Sequence, residues 1–315
     1  TLSSSSAASD VYKRQVLDGT GKTMDSNENL EWKNHSNRSR TIITPRKMKN
    51  PKFKYLIILT VLLFNFTAKG QSTAPNYTAF YPGEIWRDTD GNHINAHGGG
   101  IMFKDGKYYW YGEHKGKSSL ARVGITVYSS EDLYNWKNEG VALSVAKDLD
   151  SEITSGSVME RPKVVYNEKT DKYVMWFHLE LKGQGYAAAR TGIATSDTPT
   201  GPFTYIKSYR PNSKKWPQNF KEEWKETPKD GEPKEWWTPK WRKALNEGMF
   251  VRRDFEKGQM SRDMTIYIDT DGAAYHITSS EENQTLHISK LTDDYLGFTG
   301  EWVRMQPGGQ NEAPA

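Results

Sequence analysis

Residues His97 to Glu113 read HGGGIMFKDGKYYWYGE, an apolar stretch followed by an Asp-Gly turn and an aromatic-rich stretch. Two β-prone stretches joined by an Asp-Gly pair are typical of a β-hairpin. The same plan returns from Glu160 to Glu180 (ERPKVVYNEKTDKYVMWFHLE) and from Arg262 to Glu281 (RDMTIYIDTDGAAYHITSSE). The three predicted hairpins decide the fold class.

Each hairpin is followed by further strand-like residues, at 124–129, 191–196 and 286–290. A unit of about four strands therefore recurs, and such repeats indicate the blades of a β-propeller. We predict an all-β fold with about three blades and the start of a fourth in this chain. A closed propeller typically has about four to eight blades.

The interval between the second and third units is longer because it contains an insertion at about residues 211–245, rich in Lys, Glu, Pro and Trp. We predict a long decorated loop with a helical turn. Its Trp side chains either form a platform on which sugar rings stack or pin the loop to the blades. The sequence leaves both alternatives open.

Composition excludes several classes of site. The chain has no Cys, so a disulfide framework, a thiol nucleophile and a Cys-based zinc site are excluded. Net charge is +4, but no basic stripe alternates with aromatic residues, so no nucleic-acid partner is expected. His97, His178 and His287 lack a metal-ligand spacing, and we predict no metal ligands.

The N-terminal region has the pattern of an exported protein. Lysines precede an apolar run at 55–66, and Ala68-Lys69-Gly70 follows, which predicts a signal peptide at 48–70. The run is too short for stable membrane insertion. Because Met48 would start that peptide, we interpret 1–47 as a non-native leader. Residues 5–15 (SSAASDVYKRQ) match a translated transposon-type sequencing adapter; the alternative is a Ser-rich disordered leader.

The starts of the innermost propeller strands surround a central channel. In this chain these positions are Gly98, Glu160, Asp263 and Glu312, so three carboxylates can converge on one cavity. Paired carboxylates are the usual groups of glycoside hydrolysis, where one protonates the leaving oxygen and another activates water or attacks directly.

The chain resembles glycoside hydrolase family 43, five-bladed propellers that invert the anomeric centre, and above all its branch of exo-β-1,3-galactanases and related arabinogalactan-degrading enzymes. The resemblance spans about residues 81–315, the propeller part of a domain placed at 71–315. It is carried by AHGGGIMFKDGKYYWYGEHKG (96–116), ERPKVVYNEKTDKYVMWFH (160–178), SRDMTIYIDTDGAAYHITSSEENQTL (261–286) and GGQNEAPA (308–315).

The resemblance implies roles for individual residues. Glu312 matches the general acid, and Asp263 matches the aspartate that tunes the acid's pKa and orients the sugar. Glu160 and Glu113 match carboxylates of the sugar pocket. The wider family has its general base, an aspartate, where this chain has Gly98. We expect a residue beyond position 315 to position the water, with Glu160 as the fallback base.

Other interpretations of these side chains stay open. Each carboxylate could be an ordinary surface or ion-paired group, and Glu160 could pair with Arg161 or Lys163. His97, beside the glycine run, could reach the sugar. Glu281 could line the pocket rim or lie in a solvated turn. We expect His178 and His287 to be structural, hydrogen-bonded residues.

We therefore predict a secreted or periplasmic bacterial glycosidase that removes terminal galactose from a β-linked galactan or arabinogalactan with inversion. The alternatives are an α-L-arabinofuranosidase of the same fold and a non-catalytic sugar-binding propeller. No cofactor is expected to be required. Some relatives hold Ca²⁺ in the channel, but its ligands cannot be identified here.

We expect the full-length protein to be a monomer. GGQNEAPA suggests a chain cut at the start of a fourth blade. On that interpretation the 315-residue chain is inactive and poorly stable, because unclosed blades expose strand edges.

Overall fold

The computed structural model describes residues 76–227, 232–312 and 314. The leader predicted at 1–47 and the signal peptide predicted at 48–70 lie outside these described residues. Within the described ranges, no helix has both the length and the apolar character needed to cross a membrane.

The described residues contain twelve strands in three four-stranded antiparallel sheets, each ordered as the chain runs. The first sheet comprises β1–β4, at His97–Lys104, Lys107–Glu113, Gly124–Ser130 and Lys137–Ser144. The second comprises β5–β8, at Val158–Asn167, Lys172–Glu180, Arg190–Ser196 and Thr204–Tyr209. The third comprises β9–β12, at Met264–Ile268, Ala274–Ser280, Thr285–Leu291 and Phe298–Met305. This is the predicted arrangement of propeller blades.

The first predicted hairpin forms for the expected local reason. Asp105 and Gly106 both have positive φ, 51° and 79°, and connect the paired residues Lys104 and Lys107. A two-residue turn with positive φ at both positions follows the twist of its flanking strands. This two-residue turn thus sets the register in which the aromatic residues of β2 pair with β1.

Apolar side chains fill the spaces between neighbouring sheets. Tyr111 and Val127 of the first sheet share one buried cluster with Met175 and Phe177 of the second. On the other face of β6, Trp176 lies in a cluster with residues of β9, β10 and β11. Strand β5 contacts both β1 and β9, so the starts of the three inner strands lie near one another.

The predicted insertion lies in the connection from β8 to β9, whose described residues form three short helices. These are α1, α2 and α3, at Glu222–Lys225, Pro239–Asn246 and Met249–Asp254. Helix α2 begins where both local signals allow it: Thr238 accepts a 3.2 Å hydrogen bond from the Trp241 amide, and Pro239 occupies the first turn.

The Trp residues of this connection differ in their packing. Trp216 stacks on Phe220 and Phe255, and Trp241 is buried against Phe250, so both pin the connection to itself. Trp237 is 49% exposed. The packed indoles therefore hold the connection together, and a sugar-stacking role for the exposed ones stays a prediction.

Replacing Trp176 by Ala should lower the free energy of unfolding by about 3–5 kcal/mol, because it empties a buried site between two sheets. The indole also donates a 3.0 Å hydrogen bond to the Tyr295 carbonyl. Urea unfolding measures the change. The matched control, Trp237→Ala, should cost less than about 1 kcal/mol because that side chain is half exposed. Equal losses for the two variants would contradict the described packing.

Candidate active site

The candidate residues come from strand ends that meet at one end of the sheets. Glu113 is the last residue of β2, Glu160 lies near the start of β5, and Asp263 directly precedes β9. Gly98 lies in β1, next to His97. The alternation of strands with tight turns thus brings distant parts of the sequence to one pocket.

One ammonium group joins two of the predicted carboxylates. Lys115 Nζ lies 2.7 Å from Glu113 Oε2 and 3.4 Å from Glu160 Oε1. His97 Nδ1 lies 2.9 Å from the other oxygen of Glu113, Oε1. Glu113 and Glu160 are both buried, whereas His97 is exposed. The structure therefore places His97, Glu113 and Glu160 in a single cluster around Lys115.

A buried histidine lies behind Glu160. His178 Nδ1 is 3.5 Å from Glu160 Oε2, and its Nε2 is 2.8 Å from Glu180 Oε1. Tyr186 donates a 3.0 Å hydrogen bond to Glu160 Oε1. Burial opposes charge on the imidazole, but the two flanking carboxylates outweigh it and raise the pKa of His178. The raised pKa favours the protonated form of His178 between the Glu160 and Glu180 side chains.

The same contacts keep Glu160 ionised. Burial would raise the pKa of this carboxyl group, but His178, Lys115 and the Tyr186 hydroxyl together lower it to about 2. A carboxylate with this pKa is a proton acceptor or an electrostatic group at neutral pH, not a proton donor. This protonation state fits the fallback base assignment, which itself stays a prediction.

The structure gives a physical reason for glycine at position 98. Gly98 has φ +56°, and a Cβ built on it would lie 2.8 Å from Glu113 Oε1 and 3.3 Å from Arg161 Cδ. At Gly99, a Cβ would lie 1.7 Å from the Tyr111 carbonyl oxygen. The space that an aspartate side chain would take at position 98 is thus occupied by the carboxylate of Glu113, from the neighbouring strand.

Asp263 pairs with a residue of the adjacent blade. Arg161 Nη2 lies 3.1 Å from Asp263 Oδ2. Arg161 has φ +55° at an irregularity in the pairing of β5 with β6, which lies between Glu160 and Lys163. Lys163 donates a 3.0 Å hydrogen bond to the Gly99 carbonyl. The ion-pair partners of Glu160 are therefore Lys115 and His178, and not the predicted Arg161 or Lys163.

Glu312 lies on the segment that follows β12 and is exposed. Its Oε1 accepts hydrogen bonds from Asn283 Nδ2 at 3.3 Å and from Gln310 Nε2 at 3.4 Å. Arg262, next to Asp263, donates to Asn283 Oδ1 at 3.4 Å and to the Tyr186 carbonyl at 3.1 Å. A path of contacts therefore runs from Glu312 through Asn283, Arg262 and Tyr186 to Glu160.

Glu281 lies apart from this cluster and is fully buried. Arg304 Nε and Nη2 lie 2.5 and 2.9 Å from its two oxygens, and His287 Nε2 lies 2.9 Å from Oε1. Burial would raise the pKa of Glu281, but the Arg304 charge and these hydrogen bonds lower it to about 2. The alternative of a solvated turn is therefore wrong; the substrate-binding assignment stays a prediction.

Within the described residues, no group of three or more His, Cys, Asp or Glu side chains is arranged to hold a metal ion. The carboxylates of the pocket instead face cations of the protein: Lys115, His178 and Arg161. Ca²⁺ in the channel therefore stays a prediction of the resemblance.

The sequence analysis missed Lys115, Tyr186 and the functional position of His178. One signal was available: His178 and Glu180 are two residues apart in β6, so both side chains point to one face. Glu160 is paired directly with His178 across the strands. No comparable periodicity marks Lys115 or Tyr186, because both lie in connections between strands.

The arrangement can bind a polar, hydroxyl-rich ligand. It also provides one carboxyl group that can accept a proton and a separate one that can donate a proton. Glu160 is a fixed anion, Glu113 and His97 offer polar atoms at the pocket edge, and Glu312 is an exposed carboxyl group held by two amides. One ionised and one separate carboxyl group are the components that glycoside hydrolysis requires.

Three of the solved structures that resemble this chain illustrate the likeness. A GH43 β-1,3-galactosidase with galactodeoxynojirimycin is 57% identical with a TM-score of 0.72, and the match covers 74% of this chain and 68% of that one. An exo-β-1,3-galactanase from Clostridium thermocellum is 36% identical (TM-score 0.57; 74% and 42% covered). An exo-β-1,3-galactanase from Phanerochaete chrysosporium with galactose is 33% identical (TM-score 0.55; 74% and 43% covered).

Neither a protein-family model nor a curated protein matches the chain. The chain spans about two fifths of the length of the two galactanases and about two thirds of that of the galactosidase. Identity of 57% over 68% of the galactosidase exceeds a likeness of fold alone. Together with the propeller blades and the carboxylate pocket, it shows that the chain belongs to glycoside hydrolase family 43.

Proposed function

We propose that the protein is an inverting exo-glycosidase that removes terminal galactose from a β-1,3-linked galactan. The observation that carries this proposal is the pocket in which Glu113 and Glu160 share Lys115, in a chain 57% identical to a β-1,3-galactosidase. A sugar-binding module would not need a buried carboxylate kept ionised by a buried imidazolium, since burying charges is costly.

In this proposal Glu312 is the general acid. Its carboxyl group would protonate the glycosidic oxygen as the bond to the anomeric carbon breaks. Asp263 is proposed to tune this acid and to orient the sugar, and its ion pair with Arg161 holds it at the pocket wall.

Glu160 is proposed to assist the attacking water. As the ionised member of the pair, it can accept a proton or stabilise the positive charge that develops on the sugar ring. An inverting site needs about 6.5–9.5 Å between the two carboxyl groups, so that a water molecule fits against the sugar. Glu113 and His97 would hydrogen-bond the sugar hydroxyl groups from the side.

Galactose is the proposed sugar because the relatives at 33–57% identity act on β-1,3-linked galactose by their names. Arabinogalactan is the natural polymer we propose. We also propose export from a bacterial cell, supported by the basic, apolar and small-residue pattern at 48–70. A polymeric substrate outside the cell fits this location.

Glu312→Gln should reduce hydrolysis of β-1,3-galactobiose by about 10²–10⁴-fold, because the amide cannot donate the proton to the leaving oxygen. Activity is measured as galactose release by the protein as its gene encodes it. A dinitrophenyl β-galactoside, whose leaving group needs no proton, should be cleaved with a much smaller loss. Full activity of the variant on galactobiose would remove Glu312 from the acid role.

Lys115→Met should move the acidic limb of the kcat/KM pH profile upward by about half a pH unit or more. The Lys115 charge lowers the pKa of Glu160, so its removal makes this carboxylate protonate at higher pH. The control is Lys117→Met, which changes an exposed lysine nearby. If neither variant moves the limb, Glu160 is not the base.

Matched nitrophenyl glycosides should separate the sugar specificities. The β-galactoside should be hydrolysed with a kcat/KM at least about 100-fold above that of the α-L-arabinofuranoside, because a site built to hydrogen-bond one set of hydroxyl groups rejects another. Preference for the arabinofuranoside would establish the alternative enzyme. Binding of galactan without hydrolysis of any of these compounds would establish the non-catalytic alternative.

A further inference from the structure

The connection from β10 to β11 is a turn of three successive left-handed residues. Glu281, Glu282 and Asn283 have φ values of +51°, +57° and +65°. Residues other than glycine avoid this region, and a run of three persists only where the surroundings determine it. Such backbone is concentrated at functional sites.

Ion pairs fix the turn on both sides. Glu281 is fully buried and bound by Arg304 and His287. Glu282 lies 2.9 Å from Arg253 through one oxygen and 2.9 Å from Arg262 through the other. Both acidic side chains of the turn are therefore held by ion pairs. The turn that they fix also sets the position of the third residue, Asn283.

Asn283 connects this turn to the segment that carries Glu312. The Asn283 carbonyl accepts a 2.7 Å hydrogen bond from the Asn311 amide, and Ser279 Oγ donates to the Asn311 carbonyl. The Asn283 side chain donates to Glu312 Oε1 at 3.3 Å. Hydrogen bonds from the Asn283 main chain and from Ser279 thus hold Asn311, and the Asn283 side chain holds Glu312.

The orientation of the Asn283 amide follows from its neighbour. Arg262 Nη1 lies 3.4 Å from Asn283 Oδ1, and a guanidinium group can only donate hydrogen bonds. The amide oxygen must therefore face Arg262, which leaves the NH₂ group to face Glu312. Arg262 is itself placed by its ion pair with Glu282.

Two N–H donors on one oxygen make the two oxygens of Glu312 unequal. Asn283 Nδ2 and Gln310 Nε2 both donate to Oε1, at 3.3 and 3.4 Å. An oxygen that accepts two N–H bonds is disfavoured as the site of the acidic proton, since amide nitrogens cannot accept in return. When Glu312 is protonated, its proton belongs on Oε2.

We propose that Asn283 is a positioning residue that turns the Glu312 carboxyl group so that Oε2 carries the proton delivered to the glycosidic oxygen. In that step the proton leaves Oε2, the bond from the anomeric carbon to the glycosidic oxygen breaks, and water bonds to the anomeric carbon and gives its proton to the base. This inference rests on the proposed role of Glu312.

The test uses two variants that suit a left-handed backbone. Asn283→Gly removes the amide, and Asn283→Asp replaces the donor with an anion; glycine and aspartate both tolerate positive φ. For β-1,3-galactobiose, Asn283→Gly should lower kcat/KM about tenfold, the equivalent of one hydrogen bond to a charged group. For the dinitrophenyl β-galactoside, the loss should be less than about twofold, since that leaving group needs no proton.

The pH profile gives a second readout that a merely structural role would not move. An N–H donor favours the carboxylate, so its loss should shift the basic limb of kcat/KM upward by up to about one pH unit. Asn283→Asp should shift the limb further in the same direction, because it adds a negative charge. Asn138→Asp, on the distant strand β4, should leave the limb in place.

Circular dichroism and thermal unfolding would establish that the variants fold. Equal losses on both substrates with an unmoved basic limb would overturn the positioning role of Asn283. If the gene-encoded protein is inactive, or Glu312→Gln loses nothing on galactobiose, the proposed function fails instead. An active enzyme in which Glu312→Gln is sensitive to the leaving group but Asn283→Gly is not would overturn this inference alone.

Discussion

Repulsion between carboxylates is the constraint on which the pocket depends. Glu113 and Glu160 are both buried at the meeting point of two blades, where like charges raise each other's free energy in a medium of low polarity. Lys115 lies between them, and the imidazolium of His178 lies behind Glu160. The neighbouring Asp263 is matched in the same way by Arg161. Each of these carboxylates therefore lies beside at least one cationic side chain of the protein.

Those parts of the fold that depend on neighbouring residues in the sequence could be predicted. The Asp-Gly turns and aromatic alternation from His97 to Glu113 specify a hairpin on their own, and their recurrence predicts the three sheets. The sequence predicts the helices between β8 and β9 less well. A cap at Thr238 and Pro239 marks α2, but α1 and α3 are short, and their formation depends on aromatic contacts with distant residues such as Trp302.

The candidate site was predictable where it follows the repeat and not where it depends on side-chain partners. Glu113, Glu160 and Asp263 lie at strand ends, so the blade pattern locates them. The cation beside each carboxylate depends on loop geometry and on irregular pairing, such as the positive φ of Arg161. Glu281 illustrates the same limit: nothing in TSSEEN distinguishes a solvated turn from one whose first carboxylate is buried under Arg304, 23 residues away.

The close approach of Gly98 to Glu113 has an evolutionary consequence. An aspartate at position 98 would have to displace the Glu113 carboxylate from Lys115 and His97, and would add a third anion beside that single ammonium group. An aspartate at this position would therefore force the Glu113 side chain into another rotamer, because the atom in its way is the end of a flexible side chain. We expect the residues at positions 98 and 113 to vary together among homologues, because their side chains compete for the same space beside Lys115.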